Sequence, residues 1–443
     1  MSDEAPKADE PGLKKSLGLV DATLLVVSSV IGVGIFFTPG AVATALPSRG
    51  WFFAAWLVGG LLSLAGALAN AELGAMFPRA GGDYVYLREA YHPVAGFLVG
   101  WLSFFVIYAG TVATLAVGFA DGVASFFPMA PLAKQGLAAF VILVTSGVNA
   151  MGARAGARVN NVSAFFKVGA LVAIVLAGPL FFGKAAPAPA ASVGDGPVVL
   201  SFGAALSPVL FTYLGWNASV YVASEIRDVE RTLPRSLFVG LFVCTTVYLL
   251  VNATYATTLP MTKLAGEGAV GKATAVALFG ERGGTLVSVL ILASVLGALN
   301  ANTLVGPRIA YAMAKDGLLF KQVAKVHGPS GAPRVAIAVQ AAVALAVVFG
   351  LRGFLKALDY TTFAIVLATI ADTLALYMLR VRRPTHPRPY RAWGYPVVPF
   401  FYVVASLGIA ASMLREKPRE CGIGLAILLA GLPFYALFRR TRR

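Results

Sequence analysis

The chain has 443 residues, 58% hydrophobic and 13% charged, with a formal net charge of +16 and a mean hydropathy of +0.78. Apolar runs of 18 or more residues recur along it, so it reads as a polytopic helical membrane protein rather than a soluble domain or a barrel of ~10-residue alternating strands. The excess of positive charge, which in a soluble protein would suggest a nucleic-acid partner, here reports which loops face the cytoplasm.

Residues 1–16, "MSDEAPKADEPGLKKS", are polar and carry no signal-peptide pattern, so they read as a cytoplasmic tail. Twelve apolar segments follow, at about 18–46, 51–76, 93–120, 133–151, 160–183, 200–224, 235–257, 283–314, 335–351, 359–380, 395–414 and 420–438. About two-thirds of the 36 Lys and Arg residues fall in the N-terminal tail, the even-to-odd loops and the C-terminal tail at 439–443. That asymmetry predicts cytoplasmic termini in a plasma (inner) membrane protein. Cys244 and Cys421 both lie in apolar stretches and read as ordinary buried residues.

Span 1 contains "VIGVGIFFTPG", Val30 to Gly40, where Gly32, Gly34, Pro39 and Gly40 oppose a continuous helix. Gly and Pro cost about 1 and 3 kcal/mol in a helix interior relative to Ala. In hydrocarbon each freed backbone group also needs a partner. Span 6 contains "VLFTYLGWNASVYVASE", Val209 to Glu225, with Gly215, Asn217 and four aromatics. The two breaks are five spans apart, so their helices run in opposite directions, as in an inverted-topology repeat with a midplane site. The stretch "GKAAPAPAASVGDGP" at 183–197 reads as an extended external linker between the copies. The expected organisation is a first repeat at 17–183, the linker at 184–198, a second repeat at 199–380, a cytoplasmic loop at 381–394 and two further spans at 395–438.

A broken helix offers free N–H groups at one end, suited to a carboxylate, and free C=O groups at the other, suited to an ammonium. A zwitterionic amino acid presents both. The alternative for each break is a packing kink, since Gly and Pro are common in membrane helices.

Five ordered segments carry a family resemblance: "IGVGIF", "FTYLGWN", "SEIRDVERTLPRS", "RIAYAMAKDGLL" and "RPYRAWGYPVVP". Together they resemble the amino acid–polyamine–organocation superfamily, and within it the bacterial relatives of the L-type amino acid transporters. The resemblance implies an all-α LeuT-like fold of ten core spans plus two, with spans 1 and 6 broken, working by alternating access. It implies that span 1 amides at Val30, Ile31, Gly32, Val33 and Gly34 take the substrate carboxylate. It implies that span 6 carbonyls at Phe211, Thr212, Tyr213 and Leu214 take the amine, with Phe211 also an outer gate. Lys167 in span 5 matches a lysine that stands where sodium would sit in sodium-dependent relatives.

The chain departs from its relatives at Val33, where many have Ser or Thr, and at Leu214, where many have Gly. The first leaves backbone amides alone for the carboxylate; the second narrows the side-chain pocket. The segment "DGVASFFPMAPLAKQ" has no cysteine through which a disulfide-linked heavy chain would be held.

Lys167 either snorkels to the interface or binds inside the protein, with span 1 carbonyls near Ser28 and Ser29 and a span 8 oxygen as partners. Arg308 reads as an inner-gate residue pairing with Glu225 or Asp228. Tyr108, Thr111 and Asn217 are candidates for lining the pocket, or for packing hydrogen bonds between helices. Asp372 is an isolated carboxylate in span 10, expected to pair with a loop arginine or to serve coupling. The three histidines, His92, His327 and His386, fall in expected cytoplasmic loops. With no HExxH, no paired intramembrane aspartates and no nucleotide loop, neither an enzyme, a metal nor a cofactor is expected.

The expected function is secondary transport of small neutral L-amino acids, by sodium-independent exchange or proton symport. The alternative is a cationic amino acid or polyamine exchanger, disfavoured because no acidic residue sits near the breaks.

Overall fold

The computed structural model describes residues 12–181, 198–350 and 354–441, so the linker expected at 183–197 lies outside the described residues. Span 1 is two helices, α1 (Leu19–Val30) and α2 (Gly34–Ala45), bent by 48°. Helix α3 (Arg49–Met76) is span 2, and the short α4 (Asp83–Ala90) connects it to span 3. Span 3 runs through α5 (Pro93–Leu102), a π-helical stretch at Ser103–Tyr108 and α6 (Ala109–Ala124). Spans 4 and 5 are α7 (Pro131–Ala150) and α8 (Ala153–Phe181). Span 6 is α9 (Val198–Tyr213) and α10 (Ala218–Tyr221). Helix α11 (Val229–Thr258) is span 7, followed by the short α12 (Met261–Leu264). Span 8 is α13 (Val270–Lys315), and spans 9 to 12 are α14 (Arg334–Gly350), α15 (Phe354–Arg382), α16 (Val397–Glu416) and α17 (Pro418–Thr441).

Eight described helices are individually long and apolar enough to cross a bilayer, and the α1–α2 pair makes a ninth. Spans 6, 9 and 10 are supplied by α9–α10, α14 and α15. Helix α13 starts well before the expected 283 and kinks at Gly280, where φ is 68°. Hydropathy hides its first turns because Lys272, Glu281 and Arg282 interrupt them.

Helix α1 begins where the Gly18 N–H donates to Asp21 Oδ2 at 2.8 Å, and Asp21 places a negative charge in the first turn. Asn161 of α8 donates to the other Asp21 oxygen at 2.7 Å, tying span 5 to the start of span 1. The broken spans sit inside the molecule. Helix α1 packs on α8, α10, α11 and α13, and α2 packs on α9 and α13. Large apolar side chains such as Phe166, Phe242 and Phe401 are exposed on the outer helices, the pattern of a lipid-facing surface. Cys244 and Cys421 are buried, as expected.

Candidate functional site

Both breaks are present, displaced from where the glycines alone would put them. Span 1 is non-helical at 31–33, and Gly34 and Ile35 already belong to the first turn of α2. Span 6 is non-helical at 214–217, and Thr212 and Tyr213 still belong to α9. The reason is local hydrogen bonding. The Phe36 N–H finds Val33 O at 3.0 Å and restarts the helix at once, while the Leu214 N–H turns back to Phe211 O at 3.1 Å. The chain then leaves the helix at Gly215, whose φ of 98° suits glycine.

Two glycines bring the breaks together. A Cβ at Gly34 would lie 2.8 Å from Thr212 Cγ2, and one at Gly215 would lie 2.8 Å from the Ser29 carbonyl oxygen. Thr212 and Thr38 also share a hydroxyl contact at 2.7 Å. The Tyr248 hydroxyl on α11 lies 2.8 Å from Val30 O and 3.0 Å from Thr212 O, so one side chain bridges both broken spans.

A cavity of about 130 Å³ lies at this junction, well above the ~10–15 Å³ that admits one water. Of the residues expected at the site, Val30, Gly32, Val33, Gly34, Phe211, Thr212 and Leu214 line it, as do Tyr108, Thr111 and Asn217. Two do not. Ile31 is fully buried and faces a small separate cavity beside Lys167. Tyr213 is buried against Trp56 and donates its hydroxyl to the Trp56 carbonyl at 3.2 Å. The roles expected of both are backbone ones, and the Ile31 N–H is engaged by the Val27 carbonyl at 2.8 Å.

Helix α2 opens on this cavity with Val33 as its N-cap and no side-chain cap bond. A Ser or Thr there would accept from the first-turn amides. Valine offers no such acceptor: the Phe36 N–H turns to the Val33 carbonyl, and the Gly34 and Ile35 N–H groups, at the positive end of the helix dipole, are left available to an anion.

Lys167 is 3% exposed and does not snorkel. Its ammonium donates to Ser28 O at 3.1 Å and Ile31 O at 3.0 Å, with Ser28 Oγ at 3.3 Å. Ser29, also expected, is not a partner. The span 8 oxygen acts indirectly, since Ser294 Oγ donates to the same Ile31 carbonyl at 3.2 Å. The lysine therefore holds the C-terminal end of α1, where carbonyls lack ladder partners.

Arg308 pairs with Glu225 and not with Asp228. Nε reaches Oε1 at 2.8 Å and Nη2 reaches Oε2 at 3.2 Å, with side-chain exposures of 0% and 1%. The Glu225 carbonyl also accepts the Ser16 and Leu17 N–H groups at 2.9 Å, so the N-terminal segment closes over the same point. Asp372 does not pair with a loop arginine. Two arginines that follow it in the chain, Arg380 and Arg388, are both taken by the buried Glu72 of α3. Nor is Asp372 isolated, because it meets the Asp83 carboxyl. Asp83 itself lines the central cavity, so an acidic group does stand near the breaks.

A model of the amino acid permease family matches residues 17–431. The chain belongs to that family. It is a multi-pass membrane transporter and not an enzyme. It is 31% identical over 431 residues to the serine/threonine exchanger SteT of Bacillus subtilis (strain 168), covering 96% of this chain and 97% of that one. It is 30% identical over 454 residues to the human large neutral amino acids transporter small subunit 2, covering 98% of this chain and 83% of that one. It is 28% identical over 445 residues to the mouse Asc-type amino acid transporter 1, covering 97% and 82%.

Sequence reasoning about this permease missed Tyr248, Asp83, Asn302 and Thr369. The last three line the cavity from α4, α13 and α15. Asn302 and Thr369 are polar residues inside apolar runs, a signal equal to that of Thr111. Tyr248 gave none, because a tyrosine in an apolar run looks like any other.

Proposed function

We propose that this permease carries small neutral L-amino acids across the plasma (inner) membrane by alternating access, without sodium, as an exchanger or proton symporter. The observation that carries the reading is the uncapped start of α2 facing a small cavity whose lining is largely apolar. The α2 amides take the substrate carboxylate, and span 6 carbonyls beyond Thr212 take the amine. The Thr212 carbonyl itself is engaged by Tyr248.

Phe211 covers the site as the outer gate and Leu214 limits the side chain. Arg308–Glu225 closes the inner side. Lys167 fills the place of a sodium ion, in line with the resemblance. The names of SteT and Asc-type amino acid transporter 1 agree with amino acid exchange or transport. The repeats run over 17–183 and 199–380 with both termini cytoplasmic. Transport needs no disulfide-linked heavy chain, because residues 121–135 hold no cysteine.

Asp83 favours a second reading, a cationic substrate whose extra charge it would meet. That reading is weaker, because Asp83 is 1% exposed and Tyr221 donates to one of its oxygens. The test is competition by the twenty amino acids and putrescine against labelled alanine in proteoliposomes. Alanine, serine and threonine should compete best. Strong competition by arginine or putrescine with none by serine would replace this reading with the second.

A further inference from the structure

Asp83 and Asp372 are 1% and 0% exposed, one on the connecting helix α4 and the other in the interior of α15. Helix α4 packs on α15, with the Tyr91 hydroxyl on the Ala371 carbonyl at 3.2 Å, and this brings the two carboxyl groups close enough to interact directly. Tyr221 of α10 donates to Asp83 Oδ2. Asp83 Oδ1 and both Asp372 oxygens are buried and have no hydrogen-bond donor among the described residues.

The groups facing the pair are the phenols of Tyr86, Tyr91, Tyr108, Tyr221 and Tyr402, from α4 and its end, span 3, span 6 and span 11. No lysine or arginine is among them. Arg382 donates to the Ala90 carbonyl at 2.9 Å, and Arg380 is committed to Glu72. Two carboxylates in contact inside a protein, without a cation, cannot both be ionised. Two carboxylate oxygens also have no hydrogen to share unless one group is an acid.

We propose that Asp83 and Asp372 form a proton-binding site at the base of the central cavity, holding one proton in this state and releasing it when the N-terminal side opens. This rests on the alternating-access reading above. The proton sits as an O–H on one carboxyl and donates to an oxygen of the other. Asp83 reaches the cavity, so the proton enters by the substrate's own route. Tyr221 belongs to α10, beside the Glu225 that closes the N-terminal side. Movement of α10 withdraws the phenol from Asp83 and admits water. Hydration then allows both carboxyls to ionise, and the proton leaves to that water. Acid on the N-terminal side therefore holds the transporter closed there.

The first test is infrared spectroscopy of the purified protein in H₂O and D₂O near pH 7. The wild type should show a carboxylic-acid C=O band that shifts on deuteration. The band should be lost in Asp372→Asn, where the new amide donates to Asp83 and the single remaining carboxyl ionises. Asp83→Asn is the second variant, so the assignment does not depend on one protein folding. There the band should move in frequency, because the remaining acid has lost its carboxyl partner. A wild type without the band, or a band unchanged in both variants, overturns the site.

The second test is labelled-alanine counterflow against pH. Occupancy of a single proton site changes about tenfold per pH unit on its limiting side. The wild-type profile should therefore be steep, and that of Asp372→Asn flat. Asp121→Asn, in an exposed pair with Lys134, should leave the profile unchanged. Equal slopes in wild type and Asp372→Asn overturn the coupling. Absence of alanine counterflow in wild type counts against the substrate assignment, and the infrared result still decides the proton site.

Discussion

Replacing Lys167 by Met keeps most of the side-chain volume and removes every donor. The ammonium holds Ser28 O and Ile31 O, and the two carbonyls would respond differently. Ile31 O keeps the Ser294 hydroxyl at 3.2 Å. Ser28 O loses more, because its ladder partner, the Gly32 N–H, has turned to Val30 O at 2.8 Å. A charge-assisted hydrogen bond contributes ~1.5–3 kcal/mol, and a buried carbonyl left unmet costs ~1–3 kcal/mol. These overlap, so the break in span 1 should be destabilised by roughly 2–4 kcal/mol. At about 1.4 kcal/mol per decade, even the lower end is a loss of about thirtyfold in the population of the binding-competent geometry. Counterflow of labelled alanine in proteoliposomes, with choline in place of sodium, reads this out. Wild type should be unaffected by the exchange of cations, and Lys167→Met should lose at least tenfold at normal expression. Lys321→Ala, at an exposed position, should lose nothing. Sodium dependence of the wild type, or a Lys167→Met variant within about twofold of it, would refute the reasoning.

Tyr248→Phe removes a hydroxyl that touches backbone carbonyls of both broken spans, and at ~1–3 kcal/mol it should reduce counterflow about tenfold while the protein still purifies as a folded monodisperse species. Full activity would mean that the bridge is incidental. Leu214→Gly should let leucine and phenylalanine compete with alanine, and an unchanged competition profile would show that Leu214 does not set pocket size. Glu89, on α4 between spans, is pushed up by burial but held below the ordinary carboxylate value overall by Arg88 and Arg383, each at 2.8 Å. Its folded value is the lower one, so its contribution is full above the unfolded value of about 4.3 and is lost as pH falls through the folded one. Melting of Glu89→Gln should therefore be less acid-sensitive than wild type below that pH, by at most about 1 kcal/mol, and identical melting curves from pH 3 to 6 would exclude the pair as a contributor.

The membrane class, the order of spans and the existence of both breaks were legible because each rests on composition summed over many residues. What was not legible depends on contacts between residues far apart in the chain. Gly32 and Gly34 marked a break but not its edge, because Phe36 restarts the helix by a bond that hydropathy does not encode. Ile31 and Tyr213 sit inside the motifs, yet their side chains are buried away from the cavity, Ile31 beside Lys167 and Tyr213 against Trp56. Arg308 had two acidic candidates within four residues of each other, and only packing selects Glu225. Asp372 looked isolated because its partner is 289 positions earlier in the chain and lies outside any apolar run. The same separation hid the paired carboxyls that the sequence seemed to lack.

The geometry of the breaks bears on what a substrate must supply. The carbonyls freed at the end of α1 are met by the chain itself: Ser28 and Ile31 by Lys167, and Val30 by Tyr248. Across the gap, Tyr248 also meets Thr212 O, and Thr38 meets Thr212 Oγ1. The amides at the start of α2 are treated otherwise. Val33 gives them no side-chain cap, although a hydroxyl at that position would contribute about 1 kcal/mol to the helix. An unmet helix N-terminus facing a cavity is costly in a low-dielectric interior and favourable once an anion arrives. The carbonyls of Ser28, Val30 and Ile31 at the end of α1 are met by the chain itself, while the Gly34 and Ile35 amides at the start of α2 are left open. Binding energy is thereby reserved for the carboxylate that every α-amino acid carries, while side-chain selection falls to Phe211 and Leu214.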